Sequence, residues 1–340
     1  MSQPISPSLS KSSLLIAGAL LALAIALPFV APTYYVQFAS KTLLMGMLAV
    51  SLNLVVGFGG LVSLCHAAFF GFAGYMLAFL SPQDQGASIW TSLPIAVAAS
   101  AAAATVIGAL SLRTRGIYFI MVTLAFGEML FYLFHDTKIG GGSDGLYIYF
   151  KPEVAIAGAK LLDLDNARTF YLVALGCLVG TIALIHMLVH APFGHALAAA
   201  RDNERRALSL GYPVFRIRLT AFAISGALAG LAGYFSAAQF GFVAPQLLGW
   251  HLSATVLVMV VLGGMTSIIG PLAGAIMIIG LEEVLKSNLE HWKLVYGLIV
   301  IGMVFLLPGG IQQLAGMLRG PGSTGLPKVE APKKEAIAHV

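Results

Sequence analysis

Charge is the scarcest ingredient of this sequence. Only 10% of its 340 residues are Asp, Glu, Lys or Arg, against about 25% in a soluble globular domain. So few charges cannot be spread over a water-facing surface around a core this large. With 59% hydrophobic residues and a mean hydropathy of +0.90, the chain reads as a polytopic membrane protein. Cysteine is nearly missing: Cys65 and Cys177 are too few for a disulfide framework or a paired thiolate metal site. Each reads as a small buried hydrophobe. No G-x-x-x-x-G-K-[ST] phosphate loop occurs, so the chain does not bind ATP in the P-loop manner. There is no HExxH, no paired carboxylate and no nucleophile constellation, and His135, His186, His190 and His251 fall at the ends of apolar runs. No catalytic residue or metal ligand is therefore assigned, and a membrane enzyme is the weakest of the readings. The net charge of +5 does not imply nucleic acid, because the basic residues follow membrane topology instead of forming one face.

What is present is a series of long apolar runs. A spanning helix needs about 20 apolar residues, and ten stretches qualify: 14–30, 36–56, 64–80, 89–112, 116–134, 169–189, 219–240, 252–269, 271–285 and 293–308. No sustained two-residue alternation suggests a barrel, and lipid allows no other backbone than helix or closed barrel. The expected fold is all-α: a polytopic transmembrane helical bundle of about ten spans, with 252–285 readable as one broken element. Lys11 and the apolar run after it resemble a signal peptide. The equally apolar runs that follow make it a first membrane helix instead.

The basic residues orient the bundle. With an even number of spans, one side collects Lys11, Arg113, Arg115, Arg201, Arg205, Arg206, Arg216, Arg218, Arg319, Lys328, Lys333 and Lys334, twelve of the nineteen. That side is expected to be the cytoplasm, with both termini in it. A transmembrane domain over 1–318 is expected, with an external loop at 135–168 and a cytoplasmic loop at 191–218. The Pro-, Gly- and Lys-rich tail 319–340 is expected to be disordered.

The cytoplasmic loop is too polar to span. From His195 to Leu210 it is rich in helix formers. Gly211 is placed to end that helix in a left-handed conformation, and Pro213 prevents its continuation. A second short piece is expected up to Arg216–Arg218. Arg201, Asp202, Asn203, Glu204, Arg205 and Arg206 cluster within one and a half helical turns. One reading is a solvated loop that sets topology. The other is a docking element, since lipid attraction alone would favour Lys and Arg without the acids.

The stretch "RDNERRALSLGYPVFRIRLTAFAISGALAGLAG" resembles the cytoplasmic loop and following helix of ABC importer permeases of the branched-chain amino acid type. The blocks "GFGGLVSLCHAAFFGFAGY", "RTRGIYFIMVTLAFGEM", "GGGSDGL" and "VLVMVVLGGMTSIIGPLAGAIMI" are similar to the same family. Together they cover most of 40–310. Two positions depart from its usual pattern: Cys65 replaces a frequent Gly, and Arg218 replaces a frequent Lys. The resemblance implies a type II importer-like permease in the inner membrane. Its implied partners are a homologous second permease, two cytoplasmic ATP-binding subunits that hold the ATP, and an external substrate-binding protein. On this footing Arg201, Asp202, Asn203, Glu204, Arg205 and Gly211 are the ATPase-coupling candidates. The implied cargo is a branched-chain or related amino acid, with urea-like amides and aromatic acids as alternatives. A secondary transporter is the rival class.

Gly57, Gly59 and Gly60 each weaken a helix by about 1 kcal/mol relative to Ala. Three within four residues should break it. Non-helical backbone at membrane depth is tolerated only when buried in protein or lining a wet cavity, and broken helices present free N–H groups to anions. The stretch 57–75 thus reads either as a break lining a translocation path or as close helix packing around a satisfied histidine. Asn53, Ser63, Cys65, His66 and Glu128 are the pathway candidates. Glu128 lies inside the fifth span, where a carboxylate is costly. It is expected to meet an ammonium group or a helix end across a subunit interface, or to be wet. Gly226 with Gly230, and Gly270 with Gly274, read as small-x-x-x-small packing motifs.

Overall fold

A computed structural model describes residues 11–306, apart from 83, 157 and 158, together with residue 310. The tail 319–340 and the end of the last apolar run lie outside the described residues. Helices dominate. In chain order they are α1 (Lys11–Val30), α2 (Thr33–Asn53), α3 (His66–Leu80), α4 (Ile89–Ser111), α5 (Ile117–Asp136) and α6 (Ala167–His190), followed by α7 (Pro192–Asp202), α8 (Glu204–Ser209), α9 (Val214–Phe240), α10 (Trp250–Gly263), α11 (Gly270–Asn288) and α12 (Trp292–Leu306).

Each of the ten apolar runs falls on a helix, but the expected count of ten spans is not reached on length and apolarity. Six segments among the described residues are long and apolar enough to cross a membrane: Thr33–Phe58, Ile89–Ser111, Ile117–Asp136, Ala167–His190, Val214–Phe240 and Pro245–Gly263. Leu21–Val30, His66–Leu80 and Trp292–Met303 are shorter apolar helices. The reason is plain for α3. Its 15 residues rise only about 22 Å, short of a hydrocarbon core of about 30 Å, because the chain before it is not helical.

The centre of the bundle is formed by α2 and α9, whose spans are 83% and 78% buried while that of α5 is 22% buried. Helix α9 packs most closely on α3 and α4. Glycine makes that approach possible: a Cβ added at Gly226 would meet Ala104, one at Gly230 would meet Ser100, and one at Gly233 would enter the Phe70 carbonyl. Gly274 stands in the same way against the Met259 backbone, and Gly270 against Gly263. Both glycine pairs are thus packing contacts, as small residues at membrane helix crossings are.

At one end of the bundle lie the α4–α5 turn, the α10–α11 turn and α7–α8. At the other, short strands cap the helix ends: β1 (Leu146–Tyr147), β2 (Val154–Ile156), β3 (Ala159–Leu162) and β4 (Phe242–Val243). β1 pairs antiparallel with β4, and β2 with β3. The loop 135–168 is therefore folded over the helix ends instead of merely connecting them. Glu153 donates its N–H to Ala87 O and accepts from Ile89 N. Gly145, at φ +72°, lies so close to the Val243 carbonyl that no side chain fits.

Two local expectations are corrected. The polar helix does not run unbroken from His195 to Leu210. Asn203 leaves helical conformation at φ −155°, ψ 97° and its side chain accepts the Arg206 N–H. An Asn offers its own backbone this local alternative to helix, and here it splits the element into α7 and α8. The short piece expected to end at Arg216–Arg218 is instead the first turn and a half of α9, because Val214 already seeds the apolar face of that helix in a buried cluster with Ala200 and Ala207.

Candidate functional site

The end of α2 does not stop cleanly. Leu54–Phe58 form one π-helical turn, Gly60 adopts φ +67°, and helix resumes only at His66. Gly57 has no room for a side chain, because a Cβ there would enter the Met265 carbonyl and the Asn53 amide. A single π-turn of this kind interrupts the regular helical ladder and is often found at functional sites. The break expected from the three glycines is therefore present, across residues 59–65.

Several of its polar groups are held by neighbouring helices. The Leu64 N–H donates to Thr123 Oγ1 of α5 at 3.3 Å. The Ala67 N–H, at the buried start of α3, donates to Ser253 Oγ of α10 at 3.0 Å. Ser63, Cys65 and His66 are brought together here and are fully buried, with Ser63 Oγ 3.3 Å from Cys65 Sγ. His66 Nε2 lies 2.6 Å from Ser225 Oγ of α9. Ser225 in turn donates to Ser51 O at 2.5 Å, which uses its single proton. His66 must then donate from Nε2, leaving Nδ1 as a buried acceptor without a partner. The ring packs edge-on against Phe69 and Phe222.

Asn53 and Glu128 are not part of this cluster. Asn53 is buried, and its amide donates to Ser267 O at 2.7 Å. Glu128 is half-buried, and its Oε1 accepts the Trp250 N–H at 3.0 Å. It thus meets a helix end, as one of its readings expected, but a helix end of its own chain.

The coupling candidates sit directly beneath the break. Pro192 opens α7 at its first position, where its missing N–H costs nothing. Leu197 then packs into a cluster with Val50 and Leu54 at the end of α2. That seating carries Arg201 to the π-turn: its Nη1 donates to Gly57 O at 2.7 Å, and its aliphatic stem occupies the space beside Gly60. A guanidinium on a helix C-terminal carbonyl is a charge-assisted bond that also complements the helix dipole. Asp202 accepts from Arg201 Nε and Nη2, both at 3.1 Å.

Glu204 joins three elements. Its Oε1 receives Arg115 Nη2 of the α4–α5 turn at 3.0 Å, and its Oε2 receives Arg218 Nη1 of α9 at 3.0 Å. Arg218 also donates to Ala200 O at 3.0 Å. The Arg218 side chain is only 15% exposed and that of Arg115 is 76% exposed, so the bond to Arg218 is the stronger of the two and the one to Arg115 is screened. Arg205 is exposed, and Gly211, at φ +83° with open space around it, ends α8 in the expected left-handed turn. Leu208, Leu210, Tyr212 and Phe215 are exposed beside these arginines. A cavity of about 230 Å³ lies between break and coupling element, walled by Gly60, Leu61, Arg115, Phe119, Glu204 and Arg218.

Among the described residues no three His, Cys, Asp or Glu side chains come together to hold a metal. The arrangement can transmit displacement: it links an outlying polar helix to a weak point in a buried span. Sequence reasoning missed Thr123, Ser225 and Ser253. Hydroxyls in apolar runs were the available signal. It is ambiguous, because Ser40, Thr42 and Thr105 look the same and bond only the preceding turn of their own helices.

Residues 34–307 match the protein family described as branched-chain amino acid transport system / permease component. The chain is 36% identical over 312 residues to the high-affinity branched-chain amino acid transport system permease protein LivM of Salmonella typhimurium, covering 86% of this chain and 73% of that one. The Escherichia coli LivM protein matches equally, at 36% over 312 residues. A shorter match, 31% identical over 157 residues and covering 43% of each chain, relates it to the autoinducer 2 import system permease protein LsrC of Yersinia enterocolitica. No solved structure matches.

Proposed function

The chain belongs to the family of permease components of branched-chain amino acid transport systems, and from that premise we propose that it is the membrane subunit of an ATP-driven importer for branched-chain or closely related amino acids. Its relatives are permease subunits of ABC transporters and not enzymes, and it performs no covalent chemistry. Energy enters from ATPases in other chains, since this one has no phosphate loop. The end carrying Arg113, Arg115, Arg201, Arg205, Arg206, Arg216 and Arg218 faces the cytoplasm by the positive-inside rule, and both termini lie on that side. Ten helices then enter the membrane, with α3 too short to cross it alone. A homologous second permease, two ATPases and an external substrate-binding protein complete the assembly.

The observation that carries this reading is the bond from Arg201 to the Gly57 carbonyl. ATPases docking on α7–α8, with Leu208, Leu210, Tyr212 and Phe215 as apolar contacts inside an arginine rim, move α7. Arg201 passes that movement to the π-turn, and the break at 59–65 opens or closes the route. Ser63, Cys65 and His66 are buried in the shut form and line the route when the break shifts. Asn53 holds the α10–α11 turn against the same segment. The relatives' names favour branched-chain amino acids as cargo. The shorter likeness to a permease of an autoinducer 2 import system marks the scaffold as one that other import systems also use.

Uptake of labelled leucine by cells whose own system is deleted tests the reading. Restored uptake should vanish when ATP is depleted and persist when an ionophore collapses ion gradients with ATP maintained. The reverse pattern would make the chain a secondary transporter.

A further inference from the structure

The start of α10 lacks a cap of its own. Gly249, the residue before it, has no side chain, and no hydrogen bond from that position holds the first turn. The first N–H groups of any helix have no partner within it. Helix α10 has 14 residues and is the later part of the longer apolar segment Pro245–Gly263, so its first turn lies inside that segment and not at its end. Into that gap reaches Glu128, the twelfth of the twenty residues of α5 and thus about 16 Å along it. Its Oε1 accepts the Trp250 N–H at 3.0 Å. The neighbouring Gly127 lies against Leu64 and Cys65, so the same turn of α5 touches both the break before α3 and the start of α10.

We propose that Glu128 is the N-terminal cap of α10, supplied from α5, and that it is a positioning residue and not a ligand for the ammonium group of cargo. A carboxylate at this depth needs compensation. A helix N-terminus provides it through a free N–H and a favourable dipole, with no cation required. The cap fixes where the segment 241–249, with its 3-10 turn at Pro245–Leu247, ends and α10 begins. It also ties α10 to the turn of α5 that abuts the break. This inference stands apart from the transport reading, and its first measurement needs no transport.

The test compares Glu128→Gln and Glu128→Ala in the full chain within its assembled complex in lipid. Gln keeps an acceptor oxygen and Ala does not. Hydrogen exchange of the peptide spanning 248–256 should quicken about fivefold to tenfold in the Ala variant, the usual consequence of losing a cap, and Gln should restore most of that protection. Leucine uptake in the same preparations should lose maximal rate in Ala with KM unchanged, and Gln should recover most of the rate. Unchanged exchange at 248–256 in Glu128→Ala would overturn the cap. So would a Gln variant as poor as Ala with raised KM for leucine, because that pattern belongs to a charge that binds the cargo's ammonium.

Discussion

Arg201→Met is the substitution that weighs the tie between α7 and the break. Met keeps an unbranched apolar stem against Gly60, where the Arg201 side chain now lies, and removes the guanidinium. What is lost is one charge-assisted bond to the Gly57 carbonyl at 2.7 Å. Hydrogen bonds to charged groups contribute about 1.5–3 kcal/mol. The ion pair with Asp202 adds little, because the two side chains are 37% and 54% exposed. A loss of about 2 kcal/mol corresponds to roughly 30-fold in an equilibrium or a rate. It reaches transport only as far as the bond differs in strength between the shut and open forms, since a contact equal in both shifts nothing. The assay is leucine accumulated per ATP hydrolysed by the complex in vesicles. Uptake should fall by about 10- to 30-fold while ATP hydrolysis continues, and Arg201→Lys, which keeps one donor, should lie between. Uptake per ATP within twofold of the unaltered chain in Arg201→Met would refute the reasoning.

Four further outcomes follow from the contacts. Glu204→Gln removes the charge shared by Arg115 and Arg218; it should cost about 1–3 kcal/mol, read as a lower thermal midpoint of the solubilised chain and weaker copurification of the ATPases. Gly233→Ala should abolish folded protein in detergent, since the new methyl would enter the Phe70 carbonyl and overpack α3 against α9. Gly180→Ala, with nothing within 4 Å of the added atom, should leave the folded yield unchanged. Ser225→Ala strands the His66 Nε2 donor in a fully buried site; about 1–3 kcal/mol of stability should go, seen as faster unfolding in denaturant with the helical signal otherwise intact.

Much of the bundle was legible because lipid demands long apolar runs, and those runs do not depend on tertiary context. All ten fell on helices. The break after α2 was legible too, because three glycines in four residues leave a helix little choice. What sequence could not show is where each side chain reaches. Asn203 reads as an ordinary polar position in a helix, and only its capping bond to Arg206 N decides that the helix divides there. Arg201 and Glu204 were legible as members of a charged cluster. Of their partners, Gly57 and Arg115 lie far away in the chain and are set by how α7 docks. Glu128 was legible as an intramembrane charge in need of compensation. That the compensation is the start of α10 depends on the α5–α10 crossing, which no local pattern encodes.

The central claim is that this chain is a gate moved through α7–α8 by ATPases it does not contain. Leucine accumulation in vesicles is the direct measurement, made with the purified chain alone and with the complete complex, ATP being supplied on the side of α7–α8. The account predicts concentrative uptake by the complex with ATP, and none by the chain alone under ATP or under a proton or sodium gradient. Accumulation by the chain alone, driven by any gradient, would contradict it.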